Sequence, residues 1–273
     1  MIKINYPSVM GIINLNPDSF FSESRCTTEN EIISKFEKMI EEEADIIDLG
    51  ACSTRPGLRS IPEELEWKYL QPGLKILLKY FPQCTVSIDT FRASIVERAY
   101  DFIGDFIIND ISAGEDDPEM LNMVAKLELP YIAMHKRGTP ETMQSHCQYV
   151  DVVSEVRNYF VNFIETATKK GIKEIIIDPG FGFAKDNPQN YTMLNRLDEF
   201  KIKKSEDGSF WPILVGISRK SMIYKFLNIT PEESLPVTVA LNLQALLKGA
   251  DILRVHDVKE GKQIVKIFSN FMA

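Results

Sequence analysis

The chain alternates between two patterns of apolar and polar positions. Short runs rich in Ile and Val recur, and each is followed by a polar turn and then by a longer segment with apolar residues at helical spacing. The short runs predict eight strands: Val9–Ile13, Asp45–Leu49, Thr85–Ile88, Asp105–Ile108, Tyr131–Met134, Glu174–Ile177, Ile213–Val215 and Ile252–Val255. The longer segments predict helices at Glu29–Glu43, Ile61–Tyr80, Ala93–Tyr100, Pro118–Lys126, Val150–Lys170, Pro188–Phe200, Ser221–Leu227, Glu232–Lys248 and Glu260–Phe271.

This alternation indicates an α/β fold. Because the predicted strands are almost entirely apolar, we expect a parallel sheet that is covered by helices and connected by right-handed crossovers. Eight such units in 273 residues predict a (β/α)8 TIM barrel, with an open doubly wound sheet as the alternative. No linker or shift in composition divides the chain, so residues 1–273 are interpreted as a single domain.

Composition excludes several classes of protein. The formal net charge of −8 argues against a general nucleic-acid surface, which needs clustered Lys and Arg. The four cysteines are far apart and form no CxxC pair, which indicates a reduced, cytoplasmic protein without a structural zinc site. The N-terminus has no signal-peptide core, and no apolar stretch is long enough to cross a bilayer.

Polar residues collect where the predicted strands end. In a parallel barrel all these ends open on one face, where such enzymes place their active sites, so we expect a shared pocket. For any single Asp or Asn the alternative is a helix N-cap, worth about 1 kcal/mol, but the repetition at eight strands favours the pocket. The strand-end residues are Asn14, the "GACSTRPG" segment, Asp89, Asn109 and Asp110, His135, Asp178, Ser218 to Lys220, and His256 with Asp257.

The residue types at these ends indicate the kind of ligand. The carboxylates of Asp89 and Asp178 need N–H partners if they are buried, and a flat heterocycle with amino and ring N–H groups would supply them. Arg254 lies in an apolar run, which implies a carboxylate or an anionic ligand beside it and His256. Arg55 offers bidentate contacts to an anion, although an ordinary turn with a surface arginine is the alternative.

Two further segments suit the walls of such a pocket. In "DPGFGF", Gly180 and Gly182 allow close approach of the backbone to a ligand, and the two phenylalanines supply apolar walls unless they fill the core. The Lys220–Ser221 turn suits a carbonyl or a carboxylate. The residues alone therefore indicate a barrel enzyme that binds a heterocycle and anions.

Eight ordered motifs carry a resemblance to a known family. They are "MGIINLNPDSF", "STRPG", "SIDT", "INDISAG", "MHKRGTP", "IIDPGFGF", "VGISRKS" and "RVHDV". With them the chain resembles dihydropteroate synthase over nearly its whole length. The resemblance implies a (β/α)8 transferase that joins 7,8-dihydropterin-6-ylmethyl diphosphate to 4-aminobenzoate in folate synthesis. It further implies a Mg²⁺ cofactor, a homodimer and competition by sulfonamides.

The resemblance also implies a role for each matching residue. Asp89, Asp178 and Asn109 hold the pterin ring, and Lys220 contacts its carbonyl. Asn14 contacts Mg²⁺ and the diphosphate, which Arg254 and His256 bind as it leaves by a dissociative step. Gly182 belongs to the ligand-facing loop. The 4-aminobenzoate pocket is formed by Phe20, Thr54, Arg55, Pro56, Phe183 and Ser221.

The chain departs from the family in its first loops. The family commonly has Thr at the position of Asn16, a glycine-containing segment in place of Phe21–Arg25, and Met in place of Lys136. Because the ring-binding residues are intact, we expect these differences to change lid closure rather than the reaction. The competing interpretations are a folate-binding methyltransferase barrel and a non-catalytic pterin-binding paralogue.

Overall fold

The computed structural model describes residues 2–16, 28–52, 61–139 and 141–272. Four predicted site residues, Phe20, Thr54, Arg55 and Pro56, lie outside the described residues, as does the first-loop segment Phe21–Arg25.

Eight parallel strands form the centre of the fold. In sheet order they run β6-β5-β4-β3-β2-β1-β8-β7, and a parallel bridge between Ile177 and Ile213 joins the two ends. The structure is therefore a barrel, and the doubly wound alternative is wrong. The strands are β1 (Ser8–Asn14), β2 (Ile46–Gly50), β3 (Val86–Asp89), β4 (Ile107–Asp110), β5 (Tyr131–Met134), β6 (Ile175–Asp178), β7 (Leu214–Val215) and β8 (Ile252–Val255).

Helices follow the strands along the described ranges of the chain. They are α1 (Glu29–Glu41), α2 (Glu63–Tyr80), α3 (Ala93–Ile103), α4 (Met120–Leu127), α5 (Val152–Lys169), α6 (Asn187–Asn195), α7 (Ser221–Leu227), α8 (Leu235–Leu247) and α9 (Val258–Met272). Within those ranges, no helix combines the length and apolar character needed to cross a membrane.

The predicted element boundaries differ from the observed ones in instructive ways. The strands at Tyr131–Met134 and Ile252–Val255 are confirmed, and the others shift by one or two residues at an end. Asp89 and Asn109 pair with each other across β3 and β4, so these polar residues belong to their strands rather than follow them. The predicted helix Pro188–Phe200 is broken, because α6 ends at Asn195 and a separate 3₁₀ turn follows.

An apolar plug fills the interior of the barrel on the N-terminal side of the strand ends. Seven strands each contribute one buried side chain to it: Met10, Ile46, Ile107, Ile132, Ile176, Leu214 and Ile252. Side chains of a strand alternate between its two faces, so the residue two positions further on points to the same side one layer higher. In four strands that residue is polar, and these four form the polar layer: Asp48, Asn109, Asp178 and Arg254.

The main core lies between the strands and the surrounding helices. Phe36 of α1 is fully buried there, and its ring stacks on that of Phe81 with centroids 5.1 Å apart. The helix begins with a capping box in which Thr28 and Glu31 each accept from the other's backbone N–H. This packing fixes α1 against the barrel.

We expect Phe36→Ala to lower the free energy of unfolding by about 3 to 5 kcal/mol, because it leaves a cavity in the close-packed core. Phe271→Ala is the matched control, since Phe271 is 64% exposed on α9 and its loss should change stability by less than about 0.5 kcal/mol. Denaturation in urea measures both variants. Equal losses would contradict the assigned position of α1.

Candidate active site

A cavity of about 450 Å³ opens at the C-terminal ends of the strands. Its volume lies in the range that holds a small organic ligand. Every described residue to which the family resemblance assigns a role lines this one cavity: Asn14, Asp89, Asn109, Asp178, Gly182, Phe183, Lys220, Ser221, Arg254 and His256. The convergence expected from the strand ends is observed for these residues, but not for Asp110, His135 and Asp257.

The floor of the cavity is an ion-paired cluster around Arg254. Its Nε lies 2.8 Å and its Nη2 lies 2.7 Å from Asp48 Oδ2, and Nη2 also lies 3.1 Å from Asp89 Oδ2. The carboxylate partner expected for Arg254 is thus present twice. Asp48 is fully buried. Since a buried carboxylate needs compensation, the guanidinium and the carboxylate hold each other in place.

Asp48 also binds neighbouring strands. Its carboxylate accepts a hydrogen bond from Ser87 Oγ at 2.5 Å and from Asn109 Nδ2 at 3.2 Å. One carboxylate in β2 therefore connects β3, β4 and β8. Sequence reasoning missed Asp48, although an ionisable residue within the apolar string "IIDLG" is a signal that could have identified it.

Two carboxyl groups of the cavity, those of Asp89 and Asp178, have raised pKa values. Burial raises the pKa of Asp89 to about 7, because the stabilising charge of Arg254 is opposed by desolvation and by neighbouring carboxylates such as Asp48. Burial likewise raises the pKa of Asp178, against the effects of the Lys220 ammonium and the Gly180 N–H. Both groups would be stabilised as anions by N–H donors of a ligand.

The two cations after β7 point in different directions. Lys220 Nζ enters the cavity, where it donates to the Phe181 carbonyl oxygen at 2.6 Å and lies 4.8 Å from the centroid of the Phe183 ring. Burial lowers the pKa of Lys220 to about 8. Arg219 has a left-handed backbone conformation, with φ of 52°, and its guanidinium binds the Asp257 carboxylate at 2.8 Å. Of these two neighbouring cations, Lys220 therefore points into the cavity, and Arg219 is held by an ion pair with Asp257.

His256 differs from the expectation of a fixed cation. Its Nδ1 lies 3.0 Å from Ser218 Oγ. Burial, with a further contribution from the Arg254 charge, lowers the pKa of His256 to about 3. The imidazole is therefore neutral in this site, because desolvation and the neighbouring cations outweigh the attraction of the Asp257 carboxylate.

The loop from Asp178 to Lys185 forms one wall of the cavity. Asp178 Oδ1 accepts from Gly180 N–H at 2.8 Å, which closes the first turn of this loop. Gly180 has φ of 72°, and an added Cβ would collide with the His135 carbonyl oxygen, so only glycine fits. Both phenylalanines contribute to the cavity lining, but Phe181 is also fully buried in the core, whereas Phe183 is partly exposed. Phe181 therefore takes both of the roles open to the phenylalanines, and Phe183 is a wall residue.

Three strand-end residues expected in the pocket support it from outside. Asp110 is buried and accepts hydrogen bonds from Tyr131 Oη at 2.6 Å and from the Ser112 backbone and hydroxyl at 2.7 Å. His135 is buried beside Lys185, and Asp257 pairs with Arg219. These residues are bound by other parts of the barrel, so they are not available to a ligand.

Asn14 and Asp89 face each other across Gly50. A Cβ added to Gly50 would lie 3.6 Å from Asn14 Oδ1 and 3.7 Å from Asp89 Oδ2. Among the described residues no group of three or more His, Cys, Asp or Glu side chains is placed to hold a metal ion. The donors here fit a hard cation that takes one or two protein oxygens and its other oxygens from a substrate.

Sequence reasoning did not identify several residues of the cavity wall. Met143 lies in a 3₁₀ turn that was not predicted. The position of this turn beside the cavity makes Met143 a wall residue. Tyr224 and Lys225 reach the cavity because α7 starts at its rim. The remaining wall residues missed in the sequence are Ile12, Ile111, Met134 and Gly216.

Comparison with known proteins gives a consistent result. The family model described as "Pterin binding enzyme" matches residues 10–256. Dihydropteroate synthase of Escherichia coli K12 is 37% identical over 268 residues, which cover 97% of this chain and 92% of the relative.

Two solved structures have the same fold. Yersinia pestis dihydropteroate synthase in a sulfonamide drug complex matches with a TM-score of 0.89 and 34% identity, over 98% of this chain and 94% of that chain. Xanthomonas albilineans dihydropteroate synthase with 4-aminobenzoic acid matches with a TM-score of 0.84 and 35% identity, over 98% and 93% of the two chains.

We expect the imidazoles of His135 and His256 to stay neutral between about pH 5 and pH 8, because burial lowers the pKa of both groups to about 2 and about 3. Since each pKa is lower in the folded than in the unfolded chain, the free energy of unfolding should fall as pH drops below the ordinary value of 6.5. Nitrogen-15 NMR of labelled histidine reads both groups, and His256→Gln assigns one signal. A His256 midpoint near 6.5 would contradict the burial.

Proposed function

The chain belongs to the dihydropteroate synthase family and is a transferase of folate synthesis, and we propose that it condenses 7,8-dihydropterin-6-ylmethyl diphosphate with 4-aminobenzoate to give 7,8-dihydropteroate and diphosphate. The single observation that carries this proposal is the convergence of the strand-end acids, amides and cations on one cavity. The Xanthomonas relative, whose structure contains 4-aminobenzoic acid, supports the second substrate.

We assign the pterin ring to the carboxylates of Asp89 and Asp178 and the amide of Asn109. Burial has raised the pKa of both carboxyl groups, so each gains from the amino and ring N–H donors that a pterin offers. Lys220 donates to the Phe181 carbonyl, and a pterin carbonyl would compete for the same ammonium. Positive charge that spreads into the pterin as the C–O bond breaks is stabilised by the two acids.

The departing diphosphate is assigned to Arg254 and His256. Asp48 fixes the guanidinium at the floor of the cavity, and N–H groups of a bound pterin would take over Asp89 and release Nη2 towards the diphosphate. A cation that is positioned before negative charge develops stabilises a transition state without reorganisation. His256 is neutral, and a diphosphate beside it would raise its pKa and make it a second cationic donor.

We propose that Mg²⁺ is the cofactor. The amide oxygen of Asn14, near Asp89, would hold the ion together with diphosphate oxygens, in keeping with the few protein ligands that Mg²⁺ commonly takes. When bound, Mg²⁺ supplies neutralisation of the charge that grows on the leaving group.

The 4-aminobenzoate is assigned to the side of Phe183 and Ser221, where an aromatic ring and a hydroxyl face the cavity. Its arylamine is a nucleophile without activation, so positioning replaces nucleophilic catalysis by the protein. Cys52 also lines the cavity, but burial raises the pKa of its thiol, which supports its interpretation as a bystander. Sulfonamides would compete on this side, as the drug complex of the Yersinia relative suggests.

We further propose a homodimer that forms through α7 and α8. Phe226 and Leu227 of α7 are 64% and 43% exposed, and Leu247 of α8 is 56% exposed. Exposed large apolar side chains in this number favour a protein partner over solvent. We also propose a cytoplasmic location, in keeping with the widely spaced cysteines of the sequence.

We expect the purified protein to release diphosphate only when the pterin diphosphate, 4-aminobenzoate and Mg²⁺ are all supplied. Asp178→Asn and Lys220→Ala should each lower kcat/KM by about 100-fold or more, since each removes a charged contact to the ring. Asp101→Asn, an exposed change on α3, is the control and should match the unmodified protein. A coupled diphosphate assay measures all four proteins. Turnover without 4-aminobenzoate, or full activity of Asp178→Asn, would refute the assignment.

For the dimer, we expect Phe226→Glu to give a monomer in size-exclusion chromatography with light scattering, because it places a charge within an apolar contact. Leu78→Glu is the matched control: Leu78 is 43% exposed on α2, away from α7, and this variant should remain dimeric. If both variants keep the same mass as the unmodified protein, the proposed interface is wrong.

A further inference from the structure

We propose that Lys185 is a positioning residue of this reaction: its buried ammonium holds the loop between β6 and α6 against the end of β5 and so places Phe181 and Phe183 beside Lys220. The inference rests on the proposed function. Lys185 itself does not line the cavity, so it acts through the loop and makes no contact with substrate.

The ammonium of Lys185 is enclosed by acceptors from two strand ends. Nζ lies 2.8 Å from the Phe183 carbonyl oxygen, 3.0 Å from the Gly180 carbonyl oxygen and 3.0 Å from His135 Nδ1, with the His135 carbonyl oxygen at 3.4 Å. A lysine has three N–H donors, which matches the three close acceptors. Two of these acceptors belong to the loop and one to the residue after β5.

Burial of the Lys185 ammonium is energetically unfavourable. Lys185 is 3% exposed, and no carboxylate of the described residues forms an ion pair with it. Lysine is almost never buried without such a partner. Burial accordingly lowers its pKa to about 7. An apolar side chain of the same length would fill the space at less cost, but it cannot bind the loop carbonyl groups.

His135, which accepts from Lys185, is also held in a defined state. His135 is buried, its ring meets Tyr159 edge to face at a centroid distance of 4.8 Å, and burial keeps it neutral. Its Nδ1 is therefore able to accept from Lys185. The His135 carbonyl oxygen lies so close to Gly180 that no Cβ fits between them. The loop and the end of β5 are thus in direct contact.

The Lys185 contact fixes the position of the loop between β6 and α6, but it does not fix the position of β6 itself. Asp178 is held by the sheet, because it pairs with Met134 and its carbonyl oxygen accepts from His135 N–H at 3.0 Å. Phe181 and Phe183 lie beyond the strand, where the Phe181 carbonyl accepts from Lys220 and the Phe183 ring lies below that ammonium. Loss of Lys185 should therefore disturb the aminobenzoate side and leave the acids that bind pterin in place.

The test compares two substitutions of buried lysines. Lys136 is also buried, donates to Asp116 at 2.7 Å and to the Gly138 carbonyl at 3.2 Å, and does not line the cavity. We expect Lys185→Met to raise KM for 4-aminobenzoate and to lower kcat, each by about 10-fold or more, because small displacements of positioning groups have such effects. Calorimetry should show nearly unchanged affinity for the pterin diphosphate. Lys136→Met should leave both KM values unchanged, because the ion pair of Lys136 with Asp116 lies outside the cavity, and an effect on lid closure would change kcat without separating the two substrates.

A second pair of variants tests the same contact from the other side. His135→Asn keeps an acceptor at the position of Nδ1, whereas His135→Leu removes it. We expect His135→Asn to retain most of the activity and His135→Leu to show the same rise in KM for 4-aminobenzoate as Lys185→Met. This pair decides the question if Lys185→Met does not fold.

The outcomes separate this inference from the proposed function. If the unmodified protein releases no diphosphate with both substrates and Mg²⁺, the proposed function fails. If the unmodified protein is active but Lys185→Met changes the affinities for both substrates equally, or matches Lys136→Met, the positioning role is wrong. Equal activity of His135→Leu and His135→Asn would also overturn it.

Discussion

The buried ion pair between Asp48 and Arg254 is the interaction on which the rest of the site depends. Asp48 is fully enclosed and binds Arg254, Ser87 and Asn109 with one carboxylate. A charge in this position is tolerated only when it is paired and hydrogen-bonded. The pair therefore ties four strands together and fixes a cation at the floor of the cavity before any ligand arrives.

The barrel makes this arrangement possible by separating its layers. The apolar plug supplies the hydrophobic contacts at the axis, and the polar layer lies one step above it on the same strands. The alternation of a strand lets each chain segment serve both layers within three residues, as Ile46 and Asp48 do. Stability comes from the apolar plug and the outer core. The polar layer can therefore retain charged groups that are energetically unfavourable to bury, a trade-off that is common at active sites.

Groups just outside the cavity determine where its walls lie. Lys185 binds the loop between β6 and α6 and the end of β5, and Asp110 accepts hydrogen bonds from the backbone N–H groups of Ser112 and Gly114 in the loop after β4. Loops that carry functional residues need such support, because their own backbone groups are not satisfied by a sheet or helix. Precise placement in this protein thus depends on polar residues that never meet the ligand.

The sequence by itself determined the α/β class, the strand ends at which the site lies and the family, and it favoured a barrel over an open sheet. Short apolar runs, helical segments and strand-end polar residues are local patterns, so they can be read without knowing any contact. The closure of the barrel is a tertiary contact, the bridge between Ile177 and Ile213. The motifs likewise identified the polar residues of the cavity, from Asn14 to His256, but not its apolar wall residues such as Ile12 and Met143. Four residues of the aminobenzoate side lie outside the described ranges and stay predictions.

Only the tertiary structure decided which polar groups pair. Asp48 and Arg254 are 206 positions apart, and neither sequence neighbourhood indicates the other. The same holds for Lys185 and His135, 50 positions apart, and for Arg219, which turns to Asp257 while the adjacent Lys220 enters the cavity. Burial then sets the charge of His256 and Asp89, because desolvation depends on everything packed around a group rather than on its neighbours in the chain.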